Sequence, residues 1–167
     1  MRAAKQVLAI DAGTRNFAYC MIDTTNWRKP LLWQHEMLWR GTGKPSRREI
    51  VRMTREWAQK HQDDLRRCDV IALERQMRDN FIIMNTVIET LYFDKTVTYH
   101  PTAVGHWWKQ PRRREEKKAE GIVRVRELSH GFPVNSGKID DLADAWLLAV
   151  YALVQSNGLP REALTKV

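Results

Sequence analysis

"VLAIDAGTRNFAYCMID" spans Val7 to Asp23. An apolar run ends in a lone carboxylate at Asp11, turns through Gly13, Thr14, Arg15 and Asn16, and resumes as a second apolar run from Phe17. Short β-rich runs joined by a turn of this composition read as paired strands, Gln6 to Asp11 and Phe17 to Asp23. A third run, Leu31 to Arg40, follows "TTNWRKP" and extends the pair to a three-strand meander. Gly13 suits the bend, because a residue without a side chain lets the turn close tightly and lets a phosphate approach the backbone.

Beyond "GTGKPS" the apolar period changes. Ile50, Met53, Trp57, His61 and Leu65 recur at three or four residues, and Ser46 with Glu49 forms a capping-box start, so a helix is expected from Arg47 to Arg67. "DVIALERQ" from Asp69 is a short buried strand ending in Glu74, and Asn80 to Phe93 reads as a second helix. "TVTYHP" is a further strand, "TAVGHWW" a helical turn, and "KQPRRREEKKAE" leads into a helix ending near Ser129. "HGFPVNSGK" is loop by composition, and "IDDLADAWLLAVYALVQ" is a helix that stops at Asn157-Gly158. Strands first, then strands and helices interleaved, predict an α/β domain with a mixed five-stranded sheet flanked by helices.

The chain has 167 residues, 43% hydrophobic and 9% aromatic, which suits one domain. Residues 1–158 are assigned to it and 159–167 to a loosely held C-terminal tail. The net charge of +8 suits a polyanionic partner such as nucleic acid. Cys20 and Cys68 fall in no metal or disulfide pattern. "MRAAKQ" meets the first strand too soon for a leader, and no apolar run nears the roughly 18 residues of a membrane span. A soluble intracellular protein is expected.

Apolar strands that end in an acid carry the chemistry. Asp11 and Glu74 both close such strands, so they can converge at one end of a sheet despite their separation in sequence. The last helix adds Asp140, Asp141 and Asp144, and Asp141 and Asp144, three apart, share a helical face. Ordinary readings exist for some of them: an Asx-turn for Asp11, a pair with Arg75 or Arg78 for Glu74, and a helix-dipole acid for Asp140. Asp144 lies too deep in its helix for the dipole to explain it. Like charges so gathered call for a divalent cation. Carboxylate oxygens suit Mg2+, with Mn2+ as a substitute, and two ions about 4 Å apart can serve both sides of a phosphodiester.

"IDAGTRNFAYC", "ALERQMR" and "KIDDLADAWLLA" resemble, in order, the motifs of RuvC-type Holliday junction resolvases of the RNase H-like superfamily, nearest the poxvirus and yeast-mitochondrial branch. The resemblance covers nearly the whole chain. It implies an RNase H-like fold, a homodimer, and Mg2+-dependent symmetric nicking of four-way DNA junctions as a structure-selective endonuclease. It places Asp11, Glu74, Asp141 and Asp144 on the metal-binding acids, and Lys117 or Lys118 on a catalytic basic residue. Gly13, Thr14, Arg15, Asn16, Arg75, Gln76, Arg112, Arg113 and Arg114 are the candidates for contact with DNA. "QPRRREEKKAE" is richer in acid than the family's basic segment.

Three other readings compete. An actin-like or sugar-kinase phosphotransferase would explain "DAGT", but it needs two lobes and a second glycine-rich turn, and neither is present. A non-catalytic nucleic-acid-binding module has no use for four acids at a phosphate-binding face, where they weaken binding unless a metal is present. A nuclease of the same fold acting on a flap or an RNA–DNA hybrid differs only in substrate. Trp107 and Trp108 beside the basic stretch are candidates for base stacking, with core packing as the alternative. Phe81 and Met84, on a second helix that is apolar all round, are candidates for a dimer seam or a wedge at the crossover.

Overall fold

The computed structural model describes residues 3–111, 113–132 and 138–164. Three strands, β1 (Gln6–Asp11), β2 (Phe17–Asp23) and β3 (Leu32–Glu36), open the chain. Helices α1 (Arg47–Lys60) and α2 (Gln62–Arg67) lead to β4 (Val70–Glu74), α3 (Asp79–Leu91) and β5 (Thr96–Tyr99). Helices α4 (Pro101–Trp107), α5 (Arg114–Leu128) and α6 (Ile139–Gln155) follow, and a 3-10 turn, Arg161–Leu164, comes last.

The sheet runs β3-β2-β1-β4-β5. β1 pairs antiparallel with β2 and β2 with β3, whereas β1 and β4, and β4 and β5, are parallel. The mixed five-stranded sheet expected from the sequence is therefore present. Side chains alternate across it, as strand geometry requires. Val7, Ala9, Ala18, Cys20, Ile22 and Ala72 face α6, while Leu8, Ile10, Phe17, Tyr19, Met21, Ile71 and Leu73 face α1 and α3. Small residues dominate the first face. They let α6 lie close to the sheet, and Trp146, fully buried, fills the space they leave.

The expected helix over Arg47 to Arg67 is two helices broken at His61, whose backbone turns to φ −106° and ψ 20°. The bend keeps Leu65 and Cys68 in the core while the His61 ring meets Glu36 Oε1 at 2.9 Å and the Tyr19 hydroxyl at 3.2 Å. β3 is shorter than Leu31 to Arg40, because the chain leaves the sheet after Glu36 to fold over the turn that follows β1. The tail is docked through residue 164: Leu159 is buried, Ala163 and Leu164 pack on the α6 cluster, and the Arg161 guanidinium sits 5.2 Å from the Trp107 ring centroid. Of the expected loop "HGFPVNSGK", Pro133 to Gly137 lie outside the described residues. Among the described residues no helix is long and apolar enough to cross a membrane.

The capping box at Ser46 is formed in full. Glu49 N donates to Ser46 Oγ at 3.3 Å, and Ser46 N donates to Glu49 Oε2 at 2.7 Å. Ser46→Ala is expected to lower unfolding free energy by about 1 kcal/mol through the freed helix N–H, measured as a shift in denaturant midpoint with unchanged slope.

Candidate active site

One rung of the sheet carries the chemistry. Asp11 pairs with Ala18, Ala18 with His35, and on the other side Glu74 follows the Ile10–Leu73 pair and faces Tyr99. Ile10 and Leu73 point into the α1 and α3 face, so alternation sends Asp11 and Glu74 toward α6. There α6 brings Asp141 and, one turn on, Asp144. All four line a cavity of about 380 Å³ at the carboxyl ends of β1 and β4, the end of a parallel pair at which α/β folds bind ligands. A larger hollow of about 910 Å³ lies between α1 and α3, away from these acids.

The acids oppose one another's ionisation. Burial, then the charges of Asp144, Glu74 and Asp141, hold the Asp11 carboxyl well above its ordinary range. Burial and Glu74 push Asp144 up to about 7. Glu74 is raised by burial against the pull of Lys117 and His100, and Asp141 by burial and then by Asp140. Asp140 differs: burial pushes it up, but the hydrogen bond and charge of Lys118, a backbone hydrogen bond and the charge of Lys138 together outweigh this and leave it lowered.

The two lysines therefore stand apart. Lys118 is ion-paired with Asp140. Lys117 has no carboxylate at ion-pair distance among the described residues, yet it shares a small inner recess with Asp11, Glu74 and Asp144.

The donor set fits a hard divalent cation. It offers four carboxylates, and Asp141 Oδ2 is buried without a hydrogen-bond partner. Among the described residues no three His, Cys, Asp or Glu side chains are close enough together to form a metal shell as they stand.

The turn residues divide. Gly13 is buried, and a Cβ there would lie 2.3 Å from Asn16 O, so the turn that carries Asp11 closes only around glycine. Thr14 and Asn16 line the cavity. Arg15 also borders it, but its guanidinium donates to the carbonyls of Gly41 at 2.9 Å and Gly43 at 3.4 Å.

Gln76 and Arg114 line the acid cavity, whereas Arg75 lines a neighbouring hollow beside α3 and β5. Arg113 pairs with Glu116 at 3.4 Å, and Arg112 lies outside the described residues. Trp108 is core, its indole N–H donating to Leu147 O at 3.0 Å, and the partly buried Trp107 packs edge-on against Trp108 and Tyr151 with the Arg161 guanidinium over its ring.

Three residues at the site are not read as part of it in the sequence, Phe81 being considered there only for a dimer seam or a crossover wedge. Arg78, read only as a partner for Glu74, and Phe81 line the cavity. His35 lies on the same rung, and its positive form would lower Asp141; its Nε2 is buried and unpartnered. The residue alternation of β3 was the one signal that could have found it.

The sequence matches the family model described as Poxvirus A22 protein over residues 5–156. The chain belongs to this family. Comparison with curated proteins gives no match for this Poxvirus A22 family member. Its fold is similar to that of the yeast mitochondrial Holliday junction resolvase Ydc2, with a TM-score of 0.68 and 17% identity over 91% of this chain and 80% of that one. Fowlpox virus resolvase, solved with its substrate Holliday junction DNA, gives 0.62 and 18% over 90% of this chain and 97% of that one. RuvC of T. thermophilus, solved with a Holliday junction substrate, gives 0.57 and 18% over 91% and 97%. The expected resemblance to RuvC-type resolvases, and the RNase H-like fold, hold for this family member.

Raised carboxyl pKa values make the acid cluster a pH-dependent cost. A folded-state pKa above the unfolded value means that the folded chain binds more protons, so the cluster's contribution to stability falls as pH rises from the ordinary carboxylate range toward about 7. In chelator, Asp144→Asn is therefore expected to melt above the wild type at pH 7.5, with the difference shrinking toward pH 4. Equal melting temperatures at both pH values would count against repulsion at the site.

Proposed function

We propose that this protein is a structure-selective DNA endonuclease that resolves four-way junctions by divalent-metal-dependent phosphodiester hydrolysis. The observation that carries the reading is the convergence of Asp11, Glu74, Asp141 and Asp144 from three separate elements on one cavity edged by Lys117, Lys118, Arg78 and Arg114. Family membership and the folds of the resolvases support it.

The four acids would hold Mg2+, or Mn2+ in its place, as a pair of ions. Held by these acids, such ions would supply activation of water near neutral pH and charge stabilisation of the phosphoryl oxygens. Arg78, Arg114 and Gln76 at the rim bind the phosphates flanking the scissile one and orient it. Thr14 and Asn16 present short polar groups beside Asp11. Lys117, with no carboxylate at ion-pair distance among the described residues, meets the charge that develops on the reacting phosphate. Lys118 holds Asp140 and so fixes the first turn of α6, from which Asp141 projects. Lys117→Ala is then the substitution that damages rate more than affinity.

Asp11→Asn, Glu74→Gln, Asp141→Asn and Asp144→Asn are each expected to slow nicking on the order of 10³-fold, equivalent to several kcal/mol of lost transition-state stabilisation, with junction binding kept. The decisive assay is cleavage of matched four-way, three-way, flap, duplex and RNA–DNA hybrid substrates in Mg2+. Preference for the hybrid or flap would move the protein to another branch of nuclease chemistry, and full activity in excess chelator would remove the metal.

One chain carries the acids of one site, whereas resolution takes opposed nicks on two strands, so a homodimer with two-fold symmetry is required. The proposed seam stays on the helix first considered but uses its exposed residues. Met84 is fully buried, and Phe81 and Ile83 pack on the chain's own core, while Met77, Ile82 and Val97 stay exposed at the edge formed by α3 and β5. Ile82→Glu is expected to yield monomers by sedimentation and to abolish paired nicking while leaving the melting temperature nearly unchanged. Symmetric cleavage by a monomer would sink the dimer.

A further inference from the structure

The connection between β3 and α1, "RGTGKPSRR" from Arg40 to Arg48, is unusually cationic. Its four basic residues precede a single acid, Glu49, whose carboxylate is engaged by the Ser46 backbone N–H in the capping box. Elsewhere many cations are neutralised in pairs, such as Lys60 with Glu36, Arg67 with Asp64, Arg113 with Glu116 and Arg124 with Glu120. Arg40 and Lys44 are exposed and have no carboxylate at ion-pair distance among the described residues.

This loop is tied down at three points. Trp39 N donates to Thr14 O at 2.8 Å, the Trp39 indole N–H donates to Gly43 O at 3.2 Å, and Arg15 spans the carbonyls of Gly41 and Gly43. Its glycines are required: a Cβ on Gly41 would lie 2.4 Å from the Trp39 ring, and Gly43 adopts φ +74°. Thr14 and Arg15 also line the acid cavity, so the loop is fastened to two residues of that cavity's wall.

We propose that this loop is a phosphate-binding surface for a DNA arm leaving the active site, with Arg40 and Lys44 as its contacts and Arg15 as the positioning residue that holds them in place. The guanidinium of Arg15 is spent on two backbone carbonyls; it reaches DNA through the loop. The inference rests on the nuclease reading above, and binding is measured in chelator so that it is read apart from cleavage.

The test is the salt dependence of affinity for a fluorescently labelled four-way junction, read by anisotropy with the full chain. Each phosphate contact on duplex DNA contributes about 0.9 to the slope of log K against log salt. Arg40→Ala with Lys44→Ala is expected to lower the slope by about 1.8 without moving the melting temperature. Arg15 makes both bonds through one nitrogen, Nη2; Arg15→Met keeps an unbranched stem but removes the donors, so it is expected to lose slope as the double variant does, and to add little when combined with it.

Two results would overturn the proposal: an unchanged slope in the double variant while the wild type binds, or an Arg15→Met change that lowers the slope additively on top of the double variant, which would mark Arg15 as a direct phosphate contact. Failure of the wild type to bind the junction at all would instead overturn the nuclease reading.

Discussion

The structure turns on the seating of α6. This helix carries two of the four acids and also the largest block of buried apolar side chains: Leu142, Trp146, Leu147, Leu148, Val150 and Leu153 are nearly or wholly inaccessible. Burying a side chain of that kind stabilises by roughly 1.5–3 kcal/mol, an upper figure because denatured chains also bury surface. Six of them outweigh the repulsion that their seating imposes on Asp11, Glu74, Asp141 and Asp144. The alanines on the facing sheet let the helix sit low enough for its first turns to reach the strand ends. Repulsion at the site and packing in the core are thus two consequences of one docking event.

Much of this was legible because it depends on local pattern. The alternation in "VLAID" and "VIALE" marks strands, the carboxylate at the end of each marks the working edge, and the threefold spacing of Asp141 and Asp144 marks one helix face. Ser46 and Glu49 announced the start of α1 in full. The errors came where tertiary contact overrode pattern. The helical period runs through His61 without interruption, but a buried contact with Glu36 and Tyr19 bends the chain there. The β-rich run continues past Glu36 in sequence, whereas Trp39 and Arg15 draw the backbone away from the sheet edge. Both are interactions between residues more than twenty positions apart, which no local period records.

The same limit applied to side-chain roles. Sequence supplied a lysine doublet and a tryptophan doublet without saying which member did what. In each case the fold separates neighbours by the elements they face. Lys118 turns to the start of α6 and pairs with Asp140, while Lys117 faces the recess beside Glu74 and Asp144. Trp108 enters the core and Trp107 caps it. Asp140 and Asp141 divide likewise: against the push of burial, Lys118 and smaller contributions leave Asp140 lowered, whereas burial and then the charge of Asp140 leave Asp141 raised. Adjacent residues on a helix point about 100° apart, so the two members of a doublet meet different partners.

A polyanion approaching four acids meets a field of the wrong sign, and the arrangement of cations around the cavity answers that problem at two distances. Lys117, Arg78 and Arg114 stand at the cavity itself, close enough to act on the phosphate being cut. Arg40, Lys44, Arg47 and Arg48 stand farther out and exposed, where attraction is long-ranged and weakened by salt. Between the two zones lies the Gly13 to Asn16 turn, which on one side seats Asp11 and on the other fastens the cationic loop through Thr14 and Arg15. A single four-residue turn couples the position of the attacking chemistry to the position of the arm-binding charges. Displacing it disturbs both, whereas changing Arg40 or Lys44 touches only the second.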